Sequence, residues 1–190
     1  MMELHEAITK RHAVRDFLPD PIPRPVADKL IRAASAAPSS MNEQPWTFYC
    51  CEGETRVRLG HLIAQTTVHL SEYMEVLGAK RYEDAVQWYS SLGDAPLLIA
   101  ITCLKPDSEF TAMNRYLSLG AALENLLLSA TAGGLAACNI TFAYWVRGDM
   151  ATLLGVPEEQ EIAMIVAVGY PTDVPPAAPP RRAETAVWLD

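Results

Sequence analysis

The sequence predicts an α+β fold, and three features predict it. Ala95-Pro96-Leu97-Leu98-Ile99-Ala100-Ile101 is a short, continuous apolar run, the pattern of a strand covered on both faces. Residues 110–132 read as a long helix, apolar nearly all round, ended by Gly133-Gly134. The strand-like segments number only three or four and are too irregularly separated for a doubly wound parallel sheet. Gly133-Gly134-Leu135 is not a G-x-G-x-x-G turn, and no P-loop appears.

Taken in order, residues 2–11 place Leu4, Ala7 and Ile8 at helical spacing and end in Lys10-Arg11-His12. A second helix begins near Pro25, a residue suited to a first helical turn. It carries Val26, Leu30, Ala33, Ala34 and Ala37 on one face and stops at Pro38. Trp46 to Cys51 reads as a strand. Residues 54–91 read as mainly helical, with weak periodicity. After the apolar strand and the long helix, residues 149–154 form a short helix closed by Gly155. Ile162 to Val168 is another strand, which Gly169-Tyr170-Pro171 turns. Five prolines between Pro171 and Pro180 give an extended, polyproline-like arm that ends in Trp188 and Leu189. Apolar residues at its tip fit an arm that docks on a second subunit.

The 190 residues fit one domain, 1–190, with residues 171–190 as its arm, and half of them are apolar, enough for a real core. Fifteen Lys/Arg against 23 Asp/Glu leave a net charge of −8, which argues against a nucleic-acid or acidic-membrane binder. The balance is uneven. Residues 1–35 hold six cations against five acids, and Arg181-Arg182 adds a basic pair near the end. Local positive charge on an acidic protein points to a small anionic ligand. Cys50, Cys51, Cys103 and Cys138 show no CxxC spacing and sit in apolar settings, so buried free thiols in a reducing cytoplasm are expected. The first residues lack the apolar core of a secretory signal. Glu124 and Asn125 interrupt the longest apolar run, so it reads as a core helix rather than a membrane span.

Between Pro38 and Pro45 the chain places Ser39, Ser40, Asn42 and Gln44. Such a loop either binds something or satisfies its own backbone. Arg11 and Arg15 either grip an anion such as phosphate or complement the negative end of the first helix. His12 has no second His or carboxylate at ligand spacing, so no metal is expected. There is no nucleophile elbow and no paired-carboxylate signal. Were this chain an enzyme, a cofactor would carry the reactive atom.

Arg11-His12-Ala13-Val14-Arg15-Asp16-Phe17 followed by Ala36-Ala37-Pro38-Ser39-Ser40-Met41-Asn42-Glu43-Gln44-Pro45-Trp46-Thr47-Phe48 resembles the opening of the nitroreductase family. Gly120-Ala121-Ala122-Leu123-Glu124-Asn125-Leu126, then Leu154-Gly155-Val156-Pro157-Glu158 and Val168-Gly169-Tyr170-Pro171, are similar to its later landmarks, in the right order. The resemblance covers nearly the whole chain. It implies a central, mostly antiparallel sheet flanked by helices, in a domain-exchanged homodimer with FMN at the interface. It implies ping-pong transfer of hydride from NAD(P)H, through flavin N5, to nitroaromatics, quinones or similar acceptors, in the cytoplasm.

By the same resemblance, Arg11, His12 and Ala13 would hold the FMN phosphate and ribityl side, and Arg15 the pyrimidine edge. Pro38, Ser39, Ser40 and Asn42 would line the flavin from the partner subunit. Main-chain amides of Asn139, Ile140 and Thr141 would face N5, and Arg181 or Arg182 would complete the phosphate clamp. No side chain is assigned as acid, base or nucleophile. Residues 65–92 would form part of the substrate-side wall. Ala13 stands where many members carry Ser and Glu124 where many carry Gln. The resemblance leaves two further readings: a reductive dehalogenase or flavin-fragmenting member, and a flavin store or sensor without turnover.

Overall fold

The computed structural model describes residues 2–172, 179–183 and 185–189. The chain begins with α1 (Leu4–Lys10), β1 (Phe17–Leu18), α2 (Arg24–Ser35) and β2 (Thr47–Cys51). α3 (Gly53–Ala64), α4 (Met74–Leu77) and α5 (Ala79–Ser91) follow, with a 3-10 segment over Gln65–Tyr73. Then come β3 (Leu97–Leu104), α6 (Glu109–Ala132), β4 (Ala136–Ile140), α7 (Arg147–Leu154) and β5 (Gln160–Pro171), with a 3-10 turn over Phe142–Val146 before α7.

Every strand pairing is antiparallel. β5 runs between β3 and β4, with Val166 opposite both Ile99 and Asn139. β2 lies on the other edge of β3, and β1 pairs with the last two residues of β5. Strand alternation sends Leu98 and Ala100 into one core and Leu97, Ile99, Ile101 and Cys103 into a second. The first core is closed by Leu59 and Ile63 of α3 and Met150 of α7. The second is closed by α2, through Leu30 and Ala34, and by α6, through Leu119, Ala122 and Leu126. A strand clad on both faces needs no polar side, which is why the run around Ile99 is continuously apolar. The predicted α+β class holds.

α6 starts where Ser108 Oγ accepts the Thr111 N–H at 3.2 Å. It ends where Gly134, at φ +76°, turns the chain so that the Leu135 N–H reaches the Ala130 carbonyl at 2.8 Å.

The structure departs from the sequence reading in four places. Among the described residues there are five strands, not three or four. β1 is only two residues long, and β4 is built largely from Ala136, Ala137 and Cys138, without a β-branched signal until Ile140. Gly169-Tyr170-Pro171 does not turn; it continues β5. A Cβ at Gly169 would lie 2.8 Å from Cβ of Phe17, so the glycine lets β1 press onto the strand. α6 is not buried all round, because Phe110 (71% exposed), Met113 and Leu117 (68% exposed) form an apolar stripe on its outer face. Cys50 is exposed, since alternation along β2 turns Cys51 inward and Cys50 outward. The extended reading of the Pro-rich arm over residues 173–178 lies outside the described residues. Among the described residues, no helix is long and apolar enough to cross a membrane.

Candidate functional site

The chain leaves α1 extended at Arg11, whose N–H donates to the Ala7 carbonyl at 2.9 Å. The Val14 N–H then donates to the Ala137 carbonyl at 3.2 Å, which lays residues 11–15 beside β4. Val14 is the buried anchor, and alternation leaves Ala13 and Arg15 facing outward.

Arg15 is fixed twice by one ring. Trp88 Nε1 of α5 donates to its carbonyl at 2.8 Å, and its guanidinium carbon stands 5.6 Å from the centroid of that indole. A third restraint comes from Gly93, at φ +60°, where an added Cβ would lie 1.7 Å from the Arg15 carbonyl oxygen. Only glycine allows this approach.

Around this segment, buried polar atoms lack partners. Arg11 Nε lies 2.8 Å from Glu124 Oε1 of α6, an ion pair, but the approach is out of line and leaves the N–H without a hydrogen bond. His12 Nδ1 is 2.8 Å from the Lys10 carbonyl, so Nδ1 carries the proton and donates. That leaves His12 Nε2 buried and unpaired, an acceptor in the neutral ring. On β4, Asn139 Oδ1 is likewise buried with no donor. Arg181 returns to the same place, its Nη2 donating to the Arg11 carbonyl at 3.1 Å. Arg181 thus brings a second cation to the segment that carries Arg11, and an anion bound there could pair with both.

Beside Arg15 and Asn139 opens a cavity of about 540 Å³. Tyr73, Trp88, Tyr89 and Phe142 build its wall. Their rings form a chain: Trp88 to Tyr89 at 5.0 Å, Tyr89 to Phe142 at 5.3 Å, and Phe142 to Tyr73 at 5.7 Å. Burial pushes the Tyr89 hydroxyl up to about 12 and raises the Cys138 thiol, so both stay protonated near neutral pH. The cavity therefore offers flat apolar faces, neutral hydroxyl and thiol groups, and the fixed charge of Arg15.

The structure thus gathers Arg11, His12, Ala13, Arg15, Asn139 and Arg181 around the junction of the 11–15 segment with β4. Ile140 is fully buried in the core, which leaves only its main chain for a ligand, and Thr141 is exposed at the following turn. Arg182 is exposed, with no polar partner among the described residues. Pro38, Ser39, Ser40 and Asn42 do not line this cavity within one copy. Their loop sits on α6, where the Ser40 N–H donates to Ser118 Oγ at 3.3 Å and Glu43 pairs with Arg115 at 2.6 Å. Part of its polarity is spent locally, Ser39 Oγ accepting the Gln44 N–H at 2.9 Å. Met41, Asn42 and Gln44 all hold left-handed backbone angles, and Met41 is 96% exposed. Such strain in a non-glycine run persists only where surroundings enforce it.

Two parts of the site were missed by reading the sequence. The aromatic wall comes largely from the 65–92 segment, which the resemblance assigns to the substrate side without placing its individual residues. Glu124 was noted as a charge inside an apolar helix but not as the partner of Arg11.

A family model described as the nitroreductase family aligns with residues 8–170. The chain is 27% identical over 184 residues to iodotyrosine deiodinase 1 of Rattus norvegicus, covering 90% of this chain and 62% of that protein. It therefore spans less than two thirds of that relative's length. It is 26% identical to a 4-nitrobenzoate reductase of Pseudomonas putida, over 86% of this chain and 83% of the other. The fold matches an FMN- and NADPH-dependent nitroreductase, NfnB, of a Sphigopyxis strain, at a TM-score of 0.81, 18% identity and full coverage of both chains. It also matches a BluB-like flavoprotein of Clostridium difficile at a TM-score of 0.79 and 22% identity, again with full coverage of both chains. With that alignment running from within α1 to the end of β5, the chain belongs to the nitroreductase family.

Proposed function

We propose that this chain is an FMN-dependent NAD(P)H oxidoreductase that works as a homodimer on small acceptors such as nitroaromatics and quinones. One observation carries the proposal: three buried polar atoms without hydrogen bonds, Arg11 Nε, His12 Nε2 and Asn139 Oδ1, all belong to residues that the family resemblance assigns to the flavin. His12 Nε2 and Asn139 Oδ1 have no partner at all, and such groups cost about 1–3 kcal/mol each when buried, so a ligand that satisfies them gains that much. The donor set suits FMN: cations for a phosphate and an amide oxygen for a ring N–H.

When bound there, FMN supplies two-electron carrier chemistry between a nicotinamide donor and the acceptor. The chain's own residues bind, orient and stabilise charge. Arg11 and Arg181 hold the phosphate, with Arg182 free to join them. His12 and Ala13 line the ribityl side. Arg15, pinned by Trp88, places its guanidinium where negative charge develops on the pyrimidine edge. Asn139, Ile140 and Thr141 border the reacting side through their main chain. Pro38, Ser39, Ser40 and Asn42 approach from the partner copy, which accounts for their distance from the cavity of their own chain. The exposed stripe of Phe110, Met113 and Leu117, with Leu4 and Ile8 on neighbouring α1, is the surface such a dimer would bury. Val187, Trp188 and Leu189, all highly exposed, fit an arm laid on that partner.

Purified protein should be yellow, release FMN on denaturation, run at twice the monomer mass, and oxidise NAD(P)H with menadione or nitrofurazone. Arg15→Ala should slow flavin reduction about 10²-fold with the fold intact. A colourless protein that takes up no FMN from excess would refute the proposal, and a yellow protein inert with every donor would leave a store or sensor. The likeness to iodotyrosine deiodinases supports a second reading, in which two electrons and a proton replace an aromatic halide. Iodide release from 3-iodotyrosine under reducing conditions tests it.

A further inference from the structure

The cavity beside Asn139 holds three charged side chains: Arg15, Arg81 and Asp84. Two of them are already engaged. Asp84 receives Lys80 Nζ on both carboxylate oxygens, each at 3.1 Å. Arg15 lies over Trp88 and, on the proposed function, faces the flavin. Arg81 is different. It is exposed at the cavity's rim, and no described residue pairs with it or accepts a hydrogen bond from it.

Its place on α5 gives that charge a direction. Arg81, Ala85 and Trp88 recur at spacings of four and three, one face of the helix, and all three line the cavity. Arg81 and Trp88 are seven residues apart, about 10 Å along the helix axis. A ring lying against Tyr73, Trp88, Tyr89 and Phe142 therefore has at one end a guanidinium with no ion-pair partner among the described residues. Guanidinium binds carboxylate through paired N–H donors, a geometry that neither water nor a neutral substituent reproduces.

We propose that the cavity selects planar aromatic acceptors that carry a carboxylate, and that Arg81 is the residue that reads this group. The inference rests on the function proposed above and narrows its acceptor class. Arg81 is a specificity residue: it touches the substrate's anionic end and takes no part in electron transfer. Asp84 tempers it, and Lys80 holds that opposing charge in check.

The test compares 4-nitrobenzoate with nitrobenzene, which lacks only the carboxylate. Both are titrated into the FMN-loaded protein, with binding read from the flavin absorbance and from tryptophan emission. The wild type should bind the anion about fivefold more tightly, the upper range for an exposed ion pair. Arg81→Ala should erase that preference, Arg81→Lys should keep part of it, and Asp84→Asn should enlarge it. Raising salt should shrink it. Equal affinities in the wild type, or a preference that survives Arg81→Ala, overturns the proposal. So does a loss in Arg81→Ala that falls on NADPH and spares 4-nitrobenzoate, since the cation then serves the donor. If the protein takes up no FMN, the broader function fails on its own, and the tryptophan titration of flavin-free protein still scores Arg81.

Discussion

Replacing Gly93 with alanine should damage both the fold and the proposed flavin site, although Gly93 is not among the residues proposed to hold the flavin. The residue sits at φ +60°, where alanine costs about 1 kcal/mol relative to glycine. The new Cβ would lie 1.7 Å from the Arg15 carbonyl oxygen, and real Cβ atoms essentially never come within 3.0 Å of another heavy atom. Two backbone segments must therefore separate by at least 1.3 Å, the difference of those distances. Forcing extra volume into a packed site costs about 1–3 kcal/mol, so a total of about 3 kcal/mol is expected. The displaced carbonyl is the one that accepts Trp88 Nε1, so Arg15 should lose its fixed position as well. Urea unfolding of flavin-free protein measures the first effect, and quenching of FMN fluorescence on binding measures the second. Gly148→Ala is the control, since nothing lies within 4 Å of its added Cβ and its φ is ordinary. A Gly93→Ala protein within about 0.5 kcal/mol of wild type, with unchanged FMN affinity, would refute the reasoning.

Three other outcomes are expected. Asn139→Leu removes a buried oxygen that has no donor, so flavin-free protein should gain about 1 kcal/mol while FMN affinity falls; loss of stability without loss of affinity would count against the ligand reading. Leu117→Asp, on the exposed stripe of α6, should halve the mass seen by light scattering without lowering the helical content of each chain. Tyr89 and Tyr116 are both pushed from the ordinary 10.0 to about 12, chiefly by burial. Their folded-state values are raised, so their contribution is complete below pH 10 and is lost as pH climbs towards 12. Tyr116 is substantially exposed, so most of the loss should trace to Tyr89, and Tyr89→Phe should blunt it in alkaline urea titrations.

Sequence periodicity was a good guide where an element's own residues carry its environment. α2 has one apolar face, β3 is apolar throughout, and both are where their patterns place them. β4 was hidden because Ala136, Ala137 and Cys138 are small and strand-neutral; β5 makes them a strand, and β5 lies 20 residues further on. α6 misled for a related reason. Its composition reports that it is covered on several sides, but not that Phe110, Met113 and Leu117 are left exposed. The residues from Arg11 to Arg15, proposed to hold the flavin, were legible as a motif. The aromatic wall was not, because α5 mixes Arg81, Asp84 and Glu83 with Trp88 and Tyr89 and reads as a solvated helix until its neighbours are placed.

The order in which the ribosome delivers this chain has a cost. Among the described residues the strand at the centre of the sheet follows its neighbours in the chain, so β3 and β4 emerge with their inner edges bare. Until Gln160–Pro171 clears the exit tunnel, Leu97 to Cys103 is a bare apolar ribbon with only β2 to pair with. Synthesis that stalls before that point should release an aggregation-prone fragment.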